Sequence, residues 1–363
     1  MQRYLRYFDW FSFIIILMLC SIGLTFVFSA TYTEIQQFSI FFKKQLFGVV
    51  TGFIIYFIFC FIDYRLLSRE GYIAYFLTLI LLIFTTLKGH VGMGAQRWIN
   101  LWIFKFQPSE LIKLFLPAFF TYYFVTESHS KNYRPVNLFL KLIITTLITC
   151  LLILKQPDLG TAIVILLSSV IMLWLIGIGK RFFTCSIIFI CLTAPIGWYL
   201  LKPYQKKRIE VFLGGGQKTK ERYQIEQSKI AIGSGGFLGK GLLKGTQNLF
   251  HFLPESRTDF IFSVICEEWG FLGAIFVILL YCLLFFRNFY LIQKLQNIYA
   301  KLLAIGLLIH VLISTIINIA MVIGLLPIVG IPLPLISYGI TNIWITLASL
   351  GWLNGIYMRR HVS

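Results

Sequence analysis

The stretch Pro254-Glu255-Ser256-Arg257-Thr258-Asp259-Phe260-Ile261-Phe262 joins two unlike parts of the chain. A polar, basic segment rich in glycine precedes it, and a long apolar run follows it. The stretch therefore marks the mouth of a membrane span, and it carries a carboxylate, Asp259, at that mouth. An ionised group near the hydrocarbon is costly, so Asp259 needs a partner, access to water or a chemical task.

Composition fixes the class. Hydrophobic residues make up 58% of the 363 residues and charged residues 13%. A soluble domain carries about twice that charge fraction. The chain reads as an all-α polytopic membrane protein, a single transmembrane domain over 1–363. Length and flanks predict ten helical spans, at about 10–30, 46–62, 72–88, 110–126, 138–154, 160–178, 182–201, 260–286, 302–325 and 335–357. Between the seventh and eighth lies a long extracytoplasmic loop, about 202–258. The first span does not read as a cleaved leader, because Phe28 stands three positions before the nearest cleavage point.

Lys and Arg in the short loops set the orientation. With both termini cytoplasmic, fourteen basic residues fall on the inner side and six on the outer. The long loop adds eleven Lys and Arg against five acids up to Asp259. A basic outer surface excludes nucleic acid as the partner and favours membrane lipids or an anionic lipid-linked substrate. Most of the seven cysteines lie inside spans and form no CxxC, so they read as packing residues without a disulfide framework. The five histidines are scattered, which predicts no protein-built metal site.

Residues 233–245 (GSGGFLGKGLLKG) look like a phosphate-binding loop at first sight. The spacing fails: Ser234 stands six before Lys240, and Gly241 follows where Ser or Thr belongs. The glycines fit better as a loop that needs close backbone approach. Residues 220–232 predict a short amphipathic helix lying on the outer leaflet. Glycine and like charge together predict that the whole long loop is mobile.

Four charged groups fall at the outer ends of different spans. Arg97 lies in an aromatic, half-buried segment, where it joins a site or snorkels to headgroups. Glu110 and Lys113 in QPSELIK are three apart, placed to pair on one helix face or to meet a substrate. In Lys155-Gln156-Pro157-Asp158, Asp158 either caps the next span or faces a site. Glu255 and Asp259 form the fourth group. Glu267 and Glu268, about two turns deeper, are expected to have Lys or backbone partners within the bundle.

These residues also resemble a family. GAQRWI, QPSELIK, KQPDLGTA, IAIGSGGFLGKG, the GTQ preceding FLPES and TDFIF, EEWGFLGA and PLPLISYG are similar to motifs of the SEDS proteins (shape, elongation, division and sporulation). They run in family order from about Arg97 to Gly339, with wording closest to the rod-shape members. The resemblance implies a peptidoglycan glycosyltransferase of the bacterial inner membrane that polymerises lipid II in cell-wall elongation. It implies a class B penicillin-binding protein as partner, among other membrane proteins of the elongation complex. Asp259 then takes the catalytic position. Arg97, Glu110, Lys113, Lys155, Gln156, Asp158, Glu255 and Ser337 take substrate-binding ones. No cofactor is built in, though a divalent cation, Mg or Mn, can bridge to pyrophosphate. A lipid II flippase and a non-catalytic scaffold for the partner are the rival readings. The chain departs from the family at Tyr338-Gly339-Ile340-Thr341-Asn342, where a second glycine is usual, and lacks the usual Asp-Pro wording in 214–221.

Overall fold

In a computed structural model the chain is helical almost throughout. The structure describes residues 7–33, 37–92, 95–100, 105–128, 135–177, 179, 184, 203–212, 214–215, 220–250 and 252–360. The long helices are α1 (Trp10–Thr31), α2 (Ile40–Phe61), α3 (Tyr64–Lys88), α4 (Pro108–Ser128), α5 (Pro135–Lys155) and α6 (Leu159–Ile176). After the short α7 (Pro203–Phe212), α8 (Lys220–Ser234) and α9 (Thr246–Leu249) come α10 (Ile261–Gln293), α11 (Ile298–Val322) and α12 (Ile340–Met358). Among the described residues, seven helices are long and apolar enough to cross a membrane: α1, α2, α3, α5, α6, α10 and α11. The chain is a multi-pass membrane protein. The expected span at 182–201 lies outside the described residues, apart from Thr184.

Four helices begin where a polar side chain takes an orphan amide. Ser39 accepts from the amide of Phe42, Asp63 from Arg65, Asp158 from Thr161 and Asn297 from Tyr299. Apolar side chains form two cores. One is built mainly by α1, α2, α10, α11 and α12, the other by α3 to α6. Glycine lets α12 lie directly on α2: a Cβ on Gly351 would fall 2.2 Å from the Tyr56 carbonyl oxygen. Small residues at such crossings are how helices approach closely in lipid.

Three sequence expectations change. The fold is not purely helical, because His90–Gly92 (β1), Ala95–Asn100 (β2) and Lys105–Phe106 (β3) form a three-stranded antiparallel sheet. The pairs Ile99 with Phe106 and Asn100 with Lys105 fix the register of β2 against β3. Secondly, the last helix starts at Ile340 instead of 335, because Leu335 adopts φ 69° and 334–338 fold as turn and bend. Thirdly, α8 lies on protein. Its buried Ser228 meets the Ser263 hydroxyl of α10 at 2.8 Å and donates to the Val322 carbonyl of α11 at 2.7 Å.

The glycine-rich stretch makes the close backbone approach expected of it. Lys240 and Gly241 donate their amides to the Glu267 and Glu268 carbonyls, at 3.0 and 2.9 Å. A Cβ on Gly239 would come 2.2 Å from the Glu268 carbonyl oxygen, so this contact requires glycine. Glu267 accepts from Lys240 Nζ at 2.7 Å, from the Thr246 hydroxyl at 3.0 Å and from the Gln247 amide at 3.1 Å. Glu268 accepts from the Ser29 hydroxyl and the Leu243 amide. Both buried glutamates are thus partnered as expected, Glu267 by a Lys and a backbone amide and Glu268 by a backbone amide and a hydroxyl.

Candidate functional site

The site begins with the turn that carries Asp259. Glu255 adopts φ 56°, a left-handed conformation unfavourable for a side chain with a Cβ. Its carbonyl accepts from the amides of Thr258 and Phe260, which closes the turn before α10 starts. Thr258 Oγ1 donates to the Glu255 carboxylate at 3.2 Å.

Three consecutive carbonyls of this turn are each held by a different donor. The Tyr338 amide donates to the Arg257 carbonyl at 2.9 Å. Ser337 Oγ donates to the Thr258 carbonyl at 2.6 Å. Asn318 Nδ2, fully buried in α11, donates to the Asp259 carbonyl at 2.9 Å and also to the Ile331 carbonyl at 2.7 Å. The donors come from α11 and from the segment between α11 and α12. That segment is itself fixed, since the Leu333 amide donates to Ser337 Oγ and Gln45 of α2 brackets Ser337 and Gly339. Arg257 stacks over the Phe41 ring at 3.8 Å. The Asp259 backbone is therefore immobilised while its partly buried carboxyl is left for chemistry.

A second group forms around Asp158. This buried carboxylate caps α6 through the Thr161 amide at 3.2 Å and accepts the Thr161 hydroxyl at 2.9 Å. It also accepts Gln107 Nε2 at 2.6 Å and Ser109 Oγ at 3.4 Å, and pairs with Arg97 of β2 at 3.5 Å. Asp158 is both the helix cap and the hub. The segment 329–331 joins this hub to Asp259. A Cβ on Gly160 would sit 2.9 Å from the Val329 carbonyl oxygen, and one on Gly330 would sit 3.5 Å from Asp259 Oδ2.

Electrostatics follow from this convergence. Burial raises the Asp259 carboxyl from its ordinary 3.8 to about 6, and Glu255 and Asp158 push the same way. Arg97 and Arg208 pull against them. The group is thus mostly ionised at neutral pH but close enough to titration to accept a proton.

The remaining expected site residues divide. Glu110 and Lys113 are both buried and pair at 2.6 Å, and Asn342 Nδ2 donates to the other Glu110 oxygen at 3.1 Å. The residue that departs from the family pattern thus completes this cluster. Lys113 is engaged by Glu110. Lys155 is exposed at the end of α5. Gln156 does not join the group: its amide donates to Leu82, Thr85 and Thr86 of α3 and ties two helices together. Ser337 holds the turn through Thr258 and so positions the site from behind. Sequence reading missed Asn318 and Arg208. An amide inside the apolar run of α11 was the available signal for Asn318, since polar groups in spans need a task. Nothing local marked Arg208, because only the return of α7 brings its charge to bear on Asp259.

Comparison with known proteins agrees with the motifs. The family model described as cell cycle protein, FtsW, RodA and SpoVE, matches residues 10–361. The peptidoglycan glycosyltransferase MrdB of Escherichia coli K12 is 35% identical over 320 residues, 88% of this chain and 86% of that protein. MrdB of Helicobacter pylori 26695 is 34% identical over 99% of this chain and 93% of its own. Peptidoglycan glycosyltransferase RodA of Treponema pallidum is 30% identical over 97% of this chain and 98% of its own. Among solved structures, a chain of a peptidoglycan synthase complex that coordinates polymerization and crosslinking aligns with TM-score 0.81 and 26% identity, covering 98% of this chain and 99% of that one. Thermus thermophilus RodA shares the fold, at TM-score 0.72 over 98% of each chain. With the motifs, the site and the whole-chain match in agreement, this chain belongs to the FtsW, RodA and SpoVE family, the SEDS proteins.

Proposed function

We infer that the chain is a peptidoglycan glycosyltransferase that polymerises lipid II during cell-wall elongation and maintenance of cell shape. The observation that carries this reading is Asp259: a carboxyl on a turn held by three donors, raised to about 6, with Arg97 and Arg208 acting on it. A sugar hydroxyl is a weak nucleophile and needs a base within reach. The hydroxyl oxygen of one lipid-linked disaccharide attacks the anomeric carbon of another as Asp259 takes its proton. The anomeric C–O bond breaks, and its electron pair leaves with the lipid pyrophosphate. Arg97 and Arg208 supply fixed positive charge for that leaving group, with Lys155 at the rim. Lys113 takes part only through its pair with Glu110.

No resident cofactor is needed. The oxygen donors of Glu255 and Asp259 suit a hard cation such as Mg or Mn arriving with pyrophosphate, which would add positive charge there. Every step above uses the chain's own groups. The chain forms a single ten-span domain over 1–363, with both termini cytoplasmic and the site on the outer face of the bacterial inner membrane. A class B penicillin-binding protein crosslinks the product, as suits a chain whose structural neighbour comes from a synthase complex.

Purified protein given lipid II in detergent without ATP tests the reading. Glycan strands, lost in Asp259→Asn, support it. Movement of lipid II across vesicles without polymer would make the chain a flippase. Neither outcome, with partner binding intact, would make it a scaffold.

A further inference from the structure

The helix α10 breaks at Gly270, where φ is 65° and ψ −162°. A break inside a span frees amides and carbonyls that lipid cannot satisfy. The glycine-rich stretch takes them up. The amides of Phe271 and Leu272 donate to the carbonyls of Gly236 and Phe237 at 2.9 and 3.2 Å. On the other side of the break, the Glu267 and Glu268 carbonyls accept from Lys240 and Gly241. The stretch 236–241 is therefore laced to α10 as a short extra wall, and its backbone polarity is turned inward.

Its tip points the other way. Phe237 is 63% exposed and Leu238 75%. They stand level with Phe271 and Leu272, which are also exposed, and the Phe237 and Phe271 rings lie 6.0 Å apart. The exposed apolar face continues down α10 through Ile275 and Leu279. At the other end of that face Arg287 pairs with Asp9 at 2.7 Å, which marks the polar boundary there. From Phe271 to Arg287 the helix rises about 24 Å, at 1.5 Å per residue. A hydrocarbon core is about 30 Å thick. The level of Phe271 thus lies inside the hydrocarbon, and the tip beside it lies there too.

We propose that Phe237 and Leu238 form a wedge inserted among phospholipid acyl chains, in the leaflet at the Asp259 end of the bundle. The occupant is lipid because the patch is continuous with the lipid-facing side of a span and because the carbonyls of Gly236 and Phe237 and the amides of Lys240 and Gly241 are bonded to α10. Lys240 conforms to this, reaching back to Glu267 instead of outward. The wedge sets the height of the docked stretch against the bilayer, whatever reaction the site performs.

A nitroxide at Leu238→Cys tests this in the full chain, in phosphatidylethanolamine and phosphatidylglycerol vesicles. The exposed Cys282 is replaced by Ser, and that parent supplies the background. Collisions with oxygen, which partitions into lipid, are compared with those of a water-soluble nickel chelate. The oxygen-to-nickel ratio should match that at Leu279→Cys on the span and stand several-fold above that at the exposed Lys244→Cys. Phe237→Cys should give the same result if Leu238→Cys disturbs the tip. A ratio equal to that at Lys244→Cys would place the tip in water and overturn the proposal. Shielding from both reagents would overturn it too, showing the tip covered by a second copy of the chain.

Discussion

Asn318, deep in α11, donates to the main-chain carbonyl of Asp259 at 2.9 Å. The same amide group holds Ile331 at 2.7 Å, so one side chain ties the turn to the segment that also meets Gly160. Asn318 is a positioning residue: it acts on the reaction only through where it puts Asp259. Asn318→Leu should lower kcat about tenfold or more while leaving KM nearly unchanged, because small misplacements of a reacting group are expensive. It should also shift the acid midpoint of the pH profile, which a merely structural residue would not move.

Asp259→Ala and Asp259→Asn should lose polymerisation by about 10²–10⁴-fold, the usual worth of a general base. Both should express and remain folded, since among the described residues no hydrogen bond depends on the carboxyl. Polymer formed by purified Asp259→Asn at the parent rate would falsify the base assignment.

The pH dependence follows from the same group. The fold raises its carboxyl from 3.8 to about 6, so the ionised base is lost as pH falls through about 6. The rate should drop about tenfold per pH unit below that point. Stability has the opposite sign. The folded chain binds this proton more tightly than the unfolded chain does, so its contribution is full below 3.8 and lost as pH rises through about 6. The unfolding temperature of Asp259→Asn should match the parent near pH 3.5, exceed it increasingly between about 4 and 6, and stay higher above.

Asp158→Ala should damage stability as well as activity. It removes the acceptor shared by Gln107, Ser109, Thr161 and Arg97. Breaking a buried charge network of this kind costs about 3–5 kcal/mol. Thermal unfolding of Asp158→Ala beside Asp259→Ala separates the two roles. Equal unfolding temperatures would mean that Asp158 is no hub.

Glu267→Ala should release the glycine-rich stretch. The carboxylate takes Lys240, Thr246 and the Gln247 amide. Hydrogen bonds to a charged group are worth about 1.5–3 kcal/mol, so amide exchange over 239–247 should speed up by about ten- to a hundredfold. Unchanged exchange would show that the backbone contacts to α10 suffice alone.

The sequence by itself determined the class, most helix positions and the residues to watch. Those signals are local: apolar length, flanking charge, caps such as Asp158, and a carboxylate at the end of a span. It also foretold that Glu267 and Glu268 would be internally paired, because a buried carboxylate has few alternatives. What it could not determine was which polar groups face each other across the bundle. Gln156 reads like its neighbour Asp158, yet it turns to α3 while Asp158 turns to Gln107 and Arg97. Asn318 lies 59 residues from Asp259, and only the packing of α11 behind the turn makes its amide a donor there. The glycines of 233–245 read as a loop that needs close backbone approach, but that the approach is to the break at Gly270 is visible only in the fold. Propensity and periodicity act over one or two helical turns. A site made from the ends of separate helices is decided by how those helices pack, which only the tertiary structure fixes.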